Sequence, residues 1–334
     1  MKSNFIAVAV GDIKGIGLEL LINSLKEKKI NNFVLFTNLQ ILKKHIKKRK
    51  IDIKINIVNK IENNFDYLYD KLNIYNFKSK SEVDNTIKSL IYTYKHTISG
   101  KYIGVLTLPL RKDLIIKNNK KFIGQTEFFQ QIDNKKNSNM ILVHNKLIVS
   151  TLTTHIKVNK IINTIKKNNF IVDKLKSLNN TLINDFNISS PNIIISGVNP
   201  HAGENGLIGN EENLILKPGI KKAQKLGIQV TGPFSADSIL NKSNIKKYDC
   251  FVFIYHDQAL TTFKYISNFS GVNYTGNLSI IRTSPDHGTA YNLRGSNKAS
   301  NKSLIECFKL IKFISKNRVN VKTKKIIKSK FFKR

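Results

Sequence analysis

The segment CFVFIYHD, Cys250–Asp257, decides the fold, because a continuous apolar run ends abruptly at two polar side chains. Continuous rather than alternating apolar residues are typical of a strand covered on both faces, as in a parallel sheet flanked by helices. His256 and Asp257 then lie just beyond the carboxyl end of this strand. The segments TLTTH and IIISGVNPH end in the same way, at His155 and His201. The three segments predict histidines at the edge of a parallel sheet where ligands of such sheets bind.

Apolar runs and helical stripes alternate along the rest of the chain. Further strands are predicted at Asn4–Val10, Phe33–Thr37, Ile53–Val58, Tyr102–Thr107, Met140–Val143, Leu147–Thr151, Asn192–Ser196 and Leu278–Ile281. Helices are predicted at Leu18–Lys26, Ile87–Tyr94, Val158–Ile165 and Glu211–Leu226. Strands that alternate with helices predict an α/β protein with a largely parallel sheet.

The length and charge narrow the class of protein. A chain of 334 residues suits two domains, and 41% hydrophobic residues are enough to fill their cores. The net charge of +34 comes almost entirely from lysine, since only six residues are arginine. Proteins that recognise nucleic acids favour arginine, because its guanidinium forms two parallel hydrogen bonds with a base or a phosphate. The lysine excess accompanies an excess of isoleucine and asparagine, whose codons are also A/T-rich, so biased coding explains the charge and we expect no nucleic-acid partner.

Cysteine usage and hydropathy indicate the compartment. The two cysteines, Cys250 and Cys307, are too few for a disulfide framework and lack the spacing of a cysteine-ligated metal site. The amino-terminal segment has no signal-peptide pattern, and no stretch reaches the roughly 18 apolar residues that span a bilayer. These features predict a protein of the reducing cytoplasm with no membrane partner.

The three histidines that follow strands suggest a metal centre. Three converging imidazoles are able to hold one divalent ion and leave positions open for substrate, as catalytic sites require. Asp257, next to His256, is a candidate ligand or a residue that orients the imidazole. The alternative is that His155, His201 and His256 are ordinary loop histidines with no shared function.

Other motifs add anion contacts and exclude common nucleotide folds. Arg282, after a predicted strand, and Lys264 are candidate partners of a phosphate or carboxylate, or else surface cations. The loop Gly11–Gly17 contains neither a Rossmann fingerprint nor a Walker motif, and the chain has no GxSxG sequence. Dinucleotide binding of the Rossmann kind and serine-hydrolase chemistry therefore lack support.

Eight blocks together resemble the 4-hydroxythreonine-4-phosphate dehydrogenase family. They are GDIKGIGLEL, GQTEFF, TLTTHIKVNKI, SGVNPHAGENGLIGNEE, GPFSADSI, YHDQALTTFKY, GVNYTGNLSIIRTSPDHGTA and LRG. The resemblance implies two α/β/α domains of the isocitrate/isopropylmalate dehydrogenase type. The first domain would comprise residues 1–125 and 275–334, with a basic tail at 318–334 that we expect to fray. The second would comprise 126–274 and carry most of the ligands.

The resemblance also implies a homodimer with its active site in the interdomain cleft at the dimer interface, where one histidine comes from the other subunit. The divalent metal, Zn, Mg or Co, would be bound by His155, His201 and His256. The catalytic residues would be Asp237, Asp257 and Lys264. The substrate contacts would be Gln125, Thr126, Lys264, Asn273 and Arg282. The adenosine side of NAD or NADP would lie at Asp286, His287, Gly288 and Thr289.

The implied reaction is the NAD-dependent oxidation of 4-phosphohydroxy-L-threonine in pyridoxal phosphate biosynthesis. The metal would lower the pKa of the substrate hydroxyl, a base would take its proton, and hydride would pass to the nicotinamide. The β-keto acid would then lose carbon dioxide to give 3-amino-2-oxopropyl phosphate.

Three positions depart from the family pattern. Gln125 stands where the family has histidine, and an amide carries no charge. Ile13 replaces a proline that pre-sets the turn. Leu108 replaces a glycine, so we expect a side chain that crowds backbone near a ligand. These departures leave open a related dehydrogenase or decarboxylase with an altered substrate.

Two rival functions follow from other readings of the same residues. A metal-dependent hydrolase would use the three histidines with Asp257 as its base, but it gives no reason for the cationic residues or for DHGTA. A non-catalytic RNA- or DNA-binding protein would use the lysine-rich surface, but the chain contains no known nucleic-acid-binding module.

Overall fold

The structure, a computed structural model, describes residues 4–58, 67–118, 122–296 and 298–331. Its strands are β1 Ile6–Ala9, β2 Phe33–Thr37, β3 Ile55–Ile57, β4 Leu72–Asn76, β5 Gly104–Thr107, β6 Asn139–His144, β7 Leu147–Thr151, β8 Ile193–Ser196, β9 Val230–Phe234, β10 Cys250–Phe253, β11 Val272–Gly276 and β12 Arg282–Pro285. Its α-helices are α1 Ile16–Lys26, α2 Leu39–Lys48, α3 Glu82–Ile98, α4 Lys112–Asn118, α5 Gln125–Ile132, α6 Ile161–Ile165, α7 Phe170–Asn184, α8 Lys217–Lys225, α9 Lys242–Lys247, α10 His256–Ser267 and α11 Lys302–Phe331.

The chain divides into two compact units, each of which takes up two separate pieces of sequence. The first unit comprises Met1–Phe129 and Ser279–Ser315. The second comprises Gln130–Leu278 and Lys316–Arg334. Helix α11 includes most of the segment 318–334 that we expected to fray.

The sheet of the first unit is parallel throughout, in the order β3-β4-β2-β1-β5-β12. Strand β1 has the sequence IAVA and is completely buried, as expected for a parallel strand covered on both faces. Helix α3 packs over it: the Val10 amide donates to the Ser89 hydroxyl at 3.0 Å, and that hydroxyl donates to the Phe36 carbonyl at 2.6 Å. Two strand ends are thus fixed to one helix.

The sheet of the second unit is mixed, in the order β11-β6-β7-β10-β8-β9. Strands β7, β10, β8 and β9 are parallel neighbours, whereas β6 pairs antiparallel with both β11 and β7. The central strand β10 is buried along its whole length, which confirms the prediction from its continuous apolar run. The α/β fold class with largely parallel pairing is confirmed in both units.

Several sequence-based boundaries were wrong. Leu278–Ile281 forms no strand and instead lies between β11 and β12, although Leu278, Ile280 and Ile281 are nearly fully buried. A run of apolar residues indicates that a segment is buried. It does not distinguish a buried strand from a short buried loop, because both have the same composition. Strand β9 was not predicted. It contains Pro233 and lies at the sheet edge, where proline is tolerated.

The predicted helix Glu211–Leu226 is divided into a π-helical turn, Glu212–Leu216, and α8. Pro218 has no amide hydrogen, so an uninterrupted α-helix would lose a hydrogen bond there and meet a steric clash. The predicted helix Val158–Ile165 likewise begins as a 3-10 turn, Val158–Lys160, before α6. Among the described residues, no helix combines the length and the apolar character needed to cross a membrane.

Candidate active site

His155 and His256 lie side by side beyond two parallel strands of the second unit. Strands β7 and β10 are neighbours, and backbone bonding continues past them, since the Thr153 amide donates to the Ile254 carbonyl at 3.0 Å. The two imidazole rings have centroids 5.6 Å apart and planes tilted by 42°. With an ion-to-nitrogen distance of about 2 Å, each ring centre lies roughly 3 Å from a bound ion, so both rings are able to share one cation.

Asp257 orients the imidazole of His256. The separation between His256 Nδ1 and Asp257 Oδ1 is 2.7 Å. A carboxylate only accepts hydrogen bonds, so in the neutral imidazole Nδ1 carries the proton and Nε2 presents its lone pair. A carboxylate behind a histidine fixes the tautomer in the same way at metal sites. His256 is also the first residue of α10, so its backbone position is set by the strand end before it.

His201 lies in a separate loop of the same unit. Strand β8, which pairs with β10, ends at Ser196, and the loop Pro200–Gly206 follows. The His201 side chain is exposed. In the described parts of the chain, no group of three or more histidine, cysteine or acidic side chains comes close enough together to hold a metal. The structure therefore brings together two of the three predicted ligands, His155 and His256, and places His201 apart from them.

Asp237 is a neighbour of His201. The Ser235 hydroxyl donates to Asp237 Oδ1 at 2.6 Å and holds the pKa of this carboxyl below its ordinary value. The charge of a protonated His201 lowers that pKa further. Asp237 is exposed and therefore carries a negative charge at neutral pH. Asp237 adds negative charge near His201, but it is a weak base because its pKa is lowered.

In the first unit, Arg282 is a fully buried cation at the start of β12. Its Nη2 donates to Thr107 Oγ1 at 2.6 Å and to Gln125 Oε1 at 2.5 Å, and its guanidinium lies 5.7 Å from the centroid of the Phe129 ring. Burial lowers the pKa of Arg282 to about 10, so the side chain remains charged at neutral pH. Thr107, at the carboxyl end of β5, was missed by sequence reasoning because nothing in TLPLRK marks it as a partner of a distant arginine.

Gln125 and Thr126 open helix α5. Gln125 is half-buried, accepts from Arg282, and donates from Nε2 to the Leu108 carbonyl at 3.3 Å. Thr126 is buried, with 6% of its surface exposed. The structure thus joins the predicted substrate contacts Gln125 and Arg282 directly.

Lys264 and Asn273 belong to the second unit. Lys264, on α10, is half-buried, and its Nζ lies 5.6 Å from the centroid of the Phe269 ring. Asn273, on β11, has a buried Oδ1 atom with no hydrogen-bond partner among the described residues. A buried acceptor without a partner costs free energy unless a ligand or water supplies a donor, so Asn273 has the character of a binding residue.

The segment Asp286–Thr289 packs against the first glycine loop. The Ile16 amide donates to the Thr289 carbonyl at 3.0 Å, and Arg294 Nη1 donates to the Lys14 carbonyl at 3.0 Å. The Tyr291 hydroxyl also donates to the Asp12 carboxylate. The two segments fit closely, since a β-carbon built at Gly15 would lie 3.2 Å from Thr289. Two motifs far apart in sequence therefore form one structured surface, where His287 and Gly288 are partly exposed.

Two departures from the family pattern are accommodated inside the first unit. The Leu108 side chain is fully buried, and a β-carbon at Gly17 would lie 3.2 Å from it, so Leu108 fills the space beside that glycine. Ile13 is only 3% exposed. Leu108 therefore packs against the beginning of α1, and the effect of this side chain on ligand binding stays a prediction.

Comparison with known proteins identifies the family of the chain. Residues 29–311 match the family model described as "Pyridoxal phosphate biosynthetic protein PdxA". The chain is 33% identical to the 4-hydroxythreonine-4-phosphate dehydrogenase of Sulfurihydrogenibium sp. (strain YO3AOP1), over 91% of this chain and 96% of that protein. It is 34% identical to the protein of that name from Wigglesworthia glossinidia brevipalpis, over 95% and 98%. The crystal structure of the Klebsiella pneumoniae enzyme of that name matches with a TM-score of 0.80 and 28% identity, over 94% and 98%.

Proposed function

Because the chain belongs to the family of pyridoxal phosphate biosynthetic proteins called PdxA, we propose that it oxidises 4-phosphohydroxy-L-threonine with NAD and a divalent metal. The chain is an oxidoreductase, like the dehydrogenases that it matches along nearly their whole length. The proposal of a metal-assisted reaction rests on the two imidazoles of His155 and His256, which lie together beyond the ends of β7 and β10. The proposed product, after loss of carbon dioxide, is 3-amino-2-oxopropyl phosphate.

The proposed metal ligands are His155, His256 and His201. The first two fit one ion by their separation, and the contact with Asp257 leaves Nε2 of His256 available. His201 is exposed and apart from this pair, so we propose that it serves the site of a second copy of the chain. Zinc, magnesium and cobalt remain the candidates, and imidazole ligands favour zinc or cobalt over magnesium.

Exposed apolar side chains on the segments that carry the three histidines favour the proposed homodimer. Ile156 and Val158 follow His155, with 40% and 74% of their surface exposed. Leu207 follows His201 at 87%, and Tyr265 on α10 is 89% exposed. Large apolar side chains that face solvent near a site mark an interaction surface. A second copy that covers them would exclude water from the metal at the same time.

The proposed substrate contacts combine charge and hydrogen bonds. We assign the phosphate and carboxylate of the substrate to Arg282 and Lys264, since cations bind such groups strongly where water is scarce. Asn273 contributes its buried Oδ1 as an acceptor for the substrate amino group or hydroxyl. Gln125 and Thr126, at the beginning of α5, complete the set.

The proposed cofactor contacts are the residues Asp286, His287, Gly288 and Thr289, with NAD as the cofactor and NADP as the alternative. They are held by the loop Gly11–Gly17 through the bond between Ile16 and Thr289. A surface of backbone and small residues lets the adenosine approach closely. Binding at this surface would account for the absence of a Rossmann fingerprint from the sequence.

When bound, the metal would act as a Lewis acid toward the substrate hydroxyl, and the nicotinamide would accept the hydride. The residues of the chain position the substrate and move its proton. Asp257 holds the His256 ring in one tautomer. Asp237 is a weak base, because its pKa is lowered, so its proposed part is to add negative charge near His201. Lys264 is then the residue to which we assign proton exchange with the hydroxyl.

We propose a cytoplasmic location. Both cysteines, Cys250 and Cys307, are free and buried, and burial raises the pKa of each thiol. Thiols of this kind suit a reducing compartment and need no disulfide partner.

Product analysis tests the function and separates it from the rivals. The purified protein is incubated with 4-phosphohydroxy-L-threonine, a divalent metal and NAD, and the products are identified by mass spectrometry. We expect 3-amino-2-oxopropyl phosphate only when NAD is present. Conversion in the absence of any nicotinamide cofactor would support a metal-dependent hydrolase instead. If the protein converts a related phosphorylated hydroxy acid but does not convert 4-phosphohydroxy-L-threonine, the result would support a dehydrogenase with an altered substrate.

A further inference from the structure

The loop that carries His201 has an unusual backbone conformation. Five consecutive residues, His201–Asn205, have φ angles of 50°, 52°, 82°, 44° and 58°, which is one turn of left-handed helix. Only Gly203 among them lacks a β-carbon, so the others are strained in this conformation. Strained backbone persists only where the surrounding structure determines it, and such positions gather at functional sites.

Glu212 is the group that holds the loop at its entrance. Its side chain is 2% exposed. Its Oε1 accepts from the amides of Val198 and Asn199, both at 2.8 Å, and its Oε2 accepts from Asn199 Nδ2 at 2.9 Å. Three donors on one buried carboxylate replace the water that the charge loses.

The carboxylate also fits tightly against the left-handed turn itself. A β-carbon at Gly203 would lie 2.6 Å from Glu212 Oε2, and one at Gly197 would lie 2.9 Å from Oε1. Backbone atoms would be as close, Gly209 O at 2.6 Å in the first case and Ala202 Cα at 2.8 Å in the second, so glycine is required on both sides of the carboxylate. The side chain is bonded to the loop before the turn, through Asn199, and leaves no room for a side chain within it, at Gly203.

We propose that Glu212 is the positioning residue for His201: its carboxylate sets the left-handed turn that presents the imidazole to the metal. This inference rests on the proposed function, in which His201 is a metal ligand. In this proposal Glu212 acts through Val198 and Asn199, to which it is hydrogen-bonded, and through the backbone that continues from them to Gly203. Polar groups behind a ligand commonly change metal affinity by about 10- to 100-fold when they are removed.

Glu211 provides a matched control. Its Oε2 also accepts from Asn199 Nδ2, at 2.7 Å, but none of the hydrogen bonds described for it reaches the backbone of the loop entrance. Glu211→Gln and Glu212→Gln change the same charge at adjacent positions. Only the second alters the carboxylate that accepts from the backbone amides of Val198 and Asn199.

Two measurements on the full-length protein separate the possibilities. Hydrogen exchange, followed by mass spectrometry without metal, reports the order of residues 198–206. Titration with Co²⁺, followed by visible absorbance, reports metal affinity. We expect Glu212→Gln to speed exchange in this segment and to weaken Co²⁺ binding at least about 10-fold, and we expect the same loss of affinity from His201→Ala. We expect Glu211→Gln to change the affinity less than about threefold.

The outcomes decide between the two claims. Unchanged exchange in Glu212→Gln overturns the proposal, whatever the metal does. Faster exchange with unaltered Co²⁺ affinity, while His201→Ala weakens binding, overturns the positioning role and leaves the proposed metal site standing. If Glu212→Gln and His201→Ala both bind Co²⁺ as tightly as the parent protein, the proposed metal site and the positioning role are both wrong. Should Glu212→Gln not fold, Glu212→Asp keeps the charge and must still show an intermediate loss of affinity.

Discussion

Arg282 Nη2 donates a hydrogen bond to Gln125 Oε1 at 2.5 Å, and the same amide donates from Nε2 to the Leu108 carbonyl at 3.3 Å. Position 125 therefore needs an acceptor toward Arg282 and a donor toward Leu108. A carboxamide supplies both at every pH, and a neutral imidazole supplies one of each. An imidazolium has only donors, so a charged histidine would repel Arg282. The departure from the family pattern thus preserves the hydrogen-bonding function of the position.

We predict that Gln125→His retains activity at pH 8 and loses it as the pH falls through the imidazole pKa. The reason is that protonation turns the acceptor toward Arg282 into a donor. The pH dependence of kcat/KM of the variant should show an additional ionisation, between about pH 5 and 7, that the parent enzyme lacks. Identical profiles for the two proteins would contradict this account of position 125.

We predict that Arg282→Lys lowers kcat/KM by about 10- to 100-fold, since hydrogen bonds to charged groups contribute about 1.5–3 kcal/mol. Lysine keeps the charge but cannot bond Thr107, Gln125 and a substrate anion at once. Arg49→Lys is the control, because Arg49 forms a looser pair with Glu19 at 3.6 Å. Equal losses in both variants, measured by steady-state kinetics, would indicate a general effect on folding.

Much of the site was predictable because its residues follow apolar strands. The run Cys250–Tyr255 predicts a buried strand, and the chemistry of parallel sheets then places His256 at a ligand-binding edge. His155 lies next to His256 because their strands are neighbours in the sheet, and the order of strands in a sheet cannot be read from a single sequence. The left-handed turn at His201 was not predictable, because four of its five residues are not glycine. The segment Leu278–Ile281 shows the opposite error, because its apolar residues are buried but form no strand.

The beginning of the carboxyl-terminal segment makes a buried ion pair. Arg318 Nε donates to Asp185 Oδ1 at 2.6 Å, Arg318 Nη2 donates to the Tyr274 hydroxyl at 3.1 Å, and Asn317 Nδ2 donates to the Asp185 carbonyl at 2.8 Å. The Asp185 side chain is 5% exposed. Lys316–Arg334 belongs to the second unit, and these contacts fix its first residues there.

We therefore predict that Arg318→Met destabilises the protein by about 3 kcal/mol, because it leaves a buried carboxylate without its cation. Urea denaturation measures the change. Lys309→Met is the control, since Lys309 pairs with Glu306 at the surface, with 67% of the lysine side chain exposed, and such pairs contribute less than about 1 kcal/mol. Equal stability of Arg318→Met and the parent protein would refute the role of the ion pair.

His96 makes stability depend on pH. It is half-buried against the rings of Tyr75 and Phe36, and burial, followed by the charge of Lys101, lowers its pKa to about 4. The unfolded chain binds this proton at a pKa of about 6.5, so the folded state loses stability as the pH falls from that value toward 4. Above pH 7 the contribution is fully present.

We predict that His96→Phe, which fits the aromatic cluster and does not ionise, loses less stability between pH 7 and pH 5 than the parent protein does. Urea denaturation at the two pH values gives the free energies of unfolding. The difference between the proteins should grow in favour of the variant as the pH falls. A constant difference across this range would show that His96 does not titrate as described.

The central claim is that this chain transfers a hydride to NAD in a reaction that needs a metal held by His155, His201 and His256. The most direct test follows absorbance at 340 nm with the purified protein, NAD, a divalent metal and 4-phosphohydroxy-L-threonine. We predict an increase that a chelator abolishes and that His201→Ala lowers roughly 100-fold or more. No increase from the folded protein with any of zinc, magnesium or cobalt, and with NADP as well as NAD, would contradict the claim.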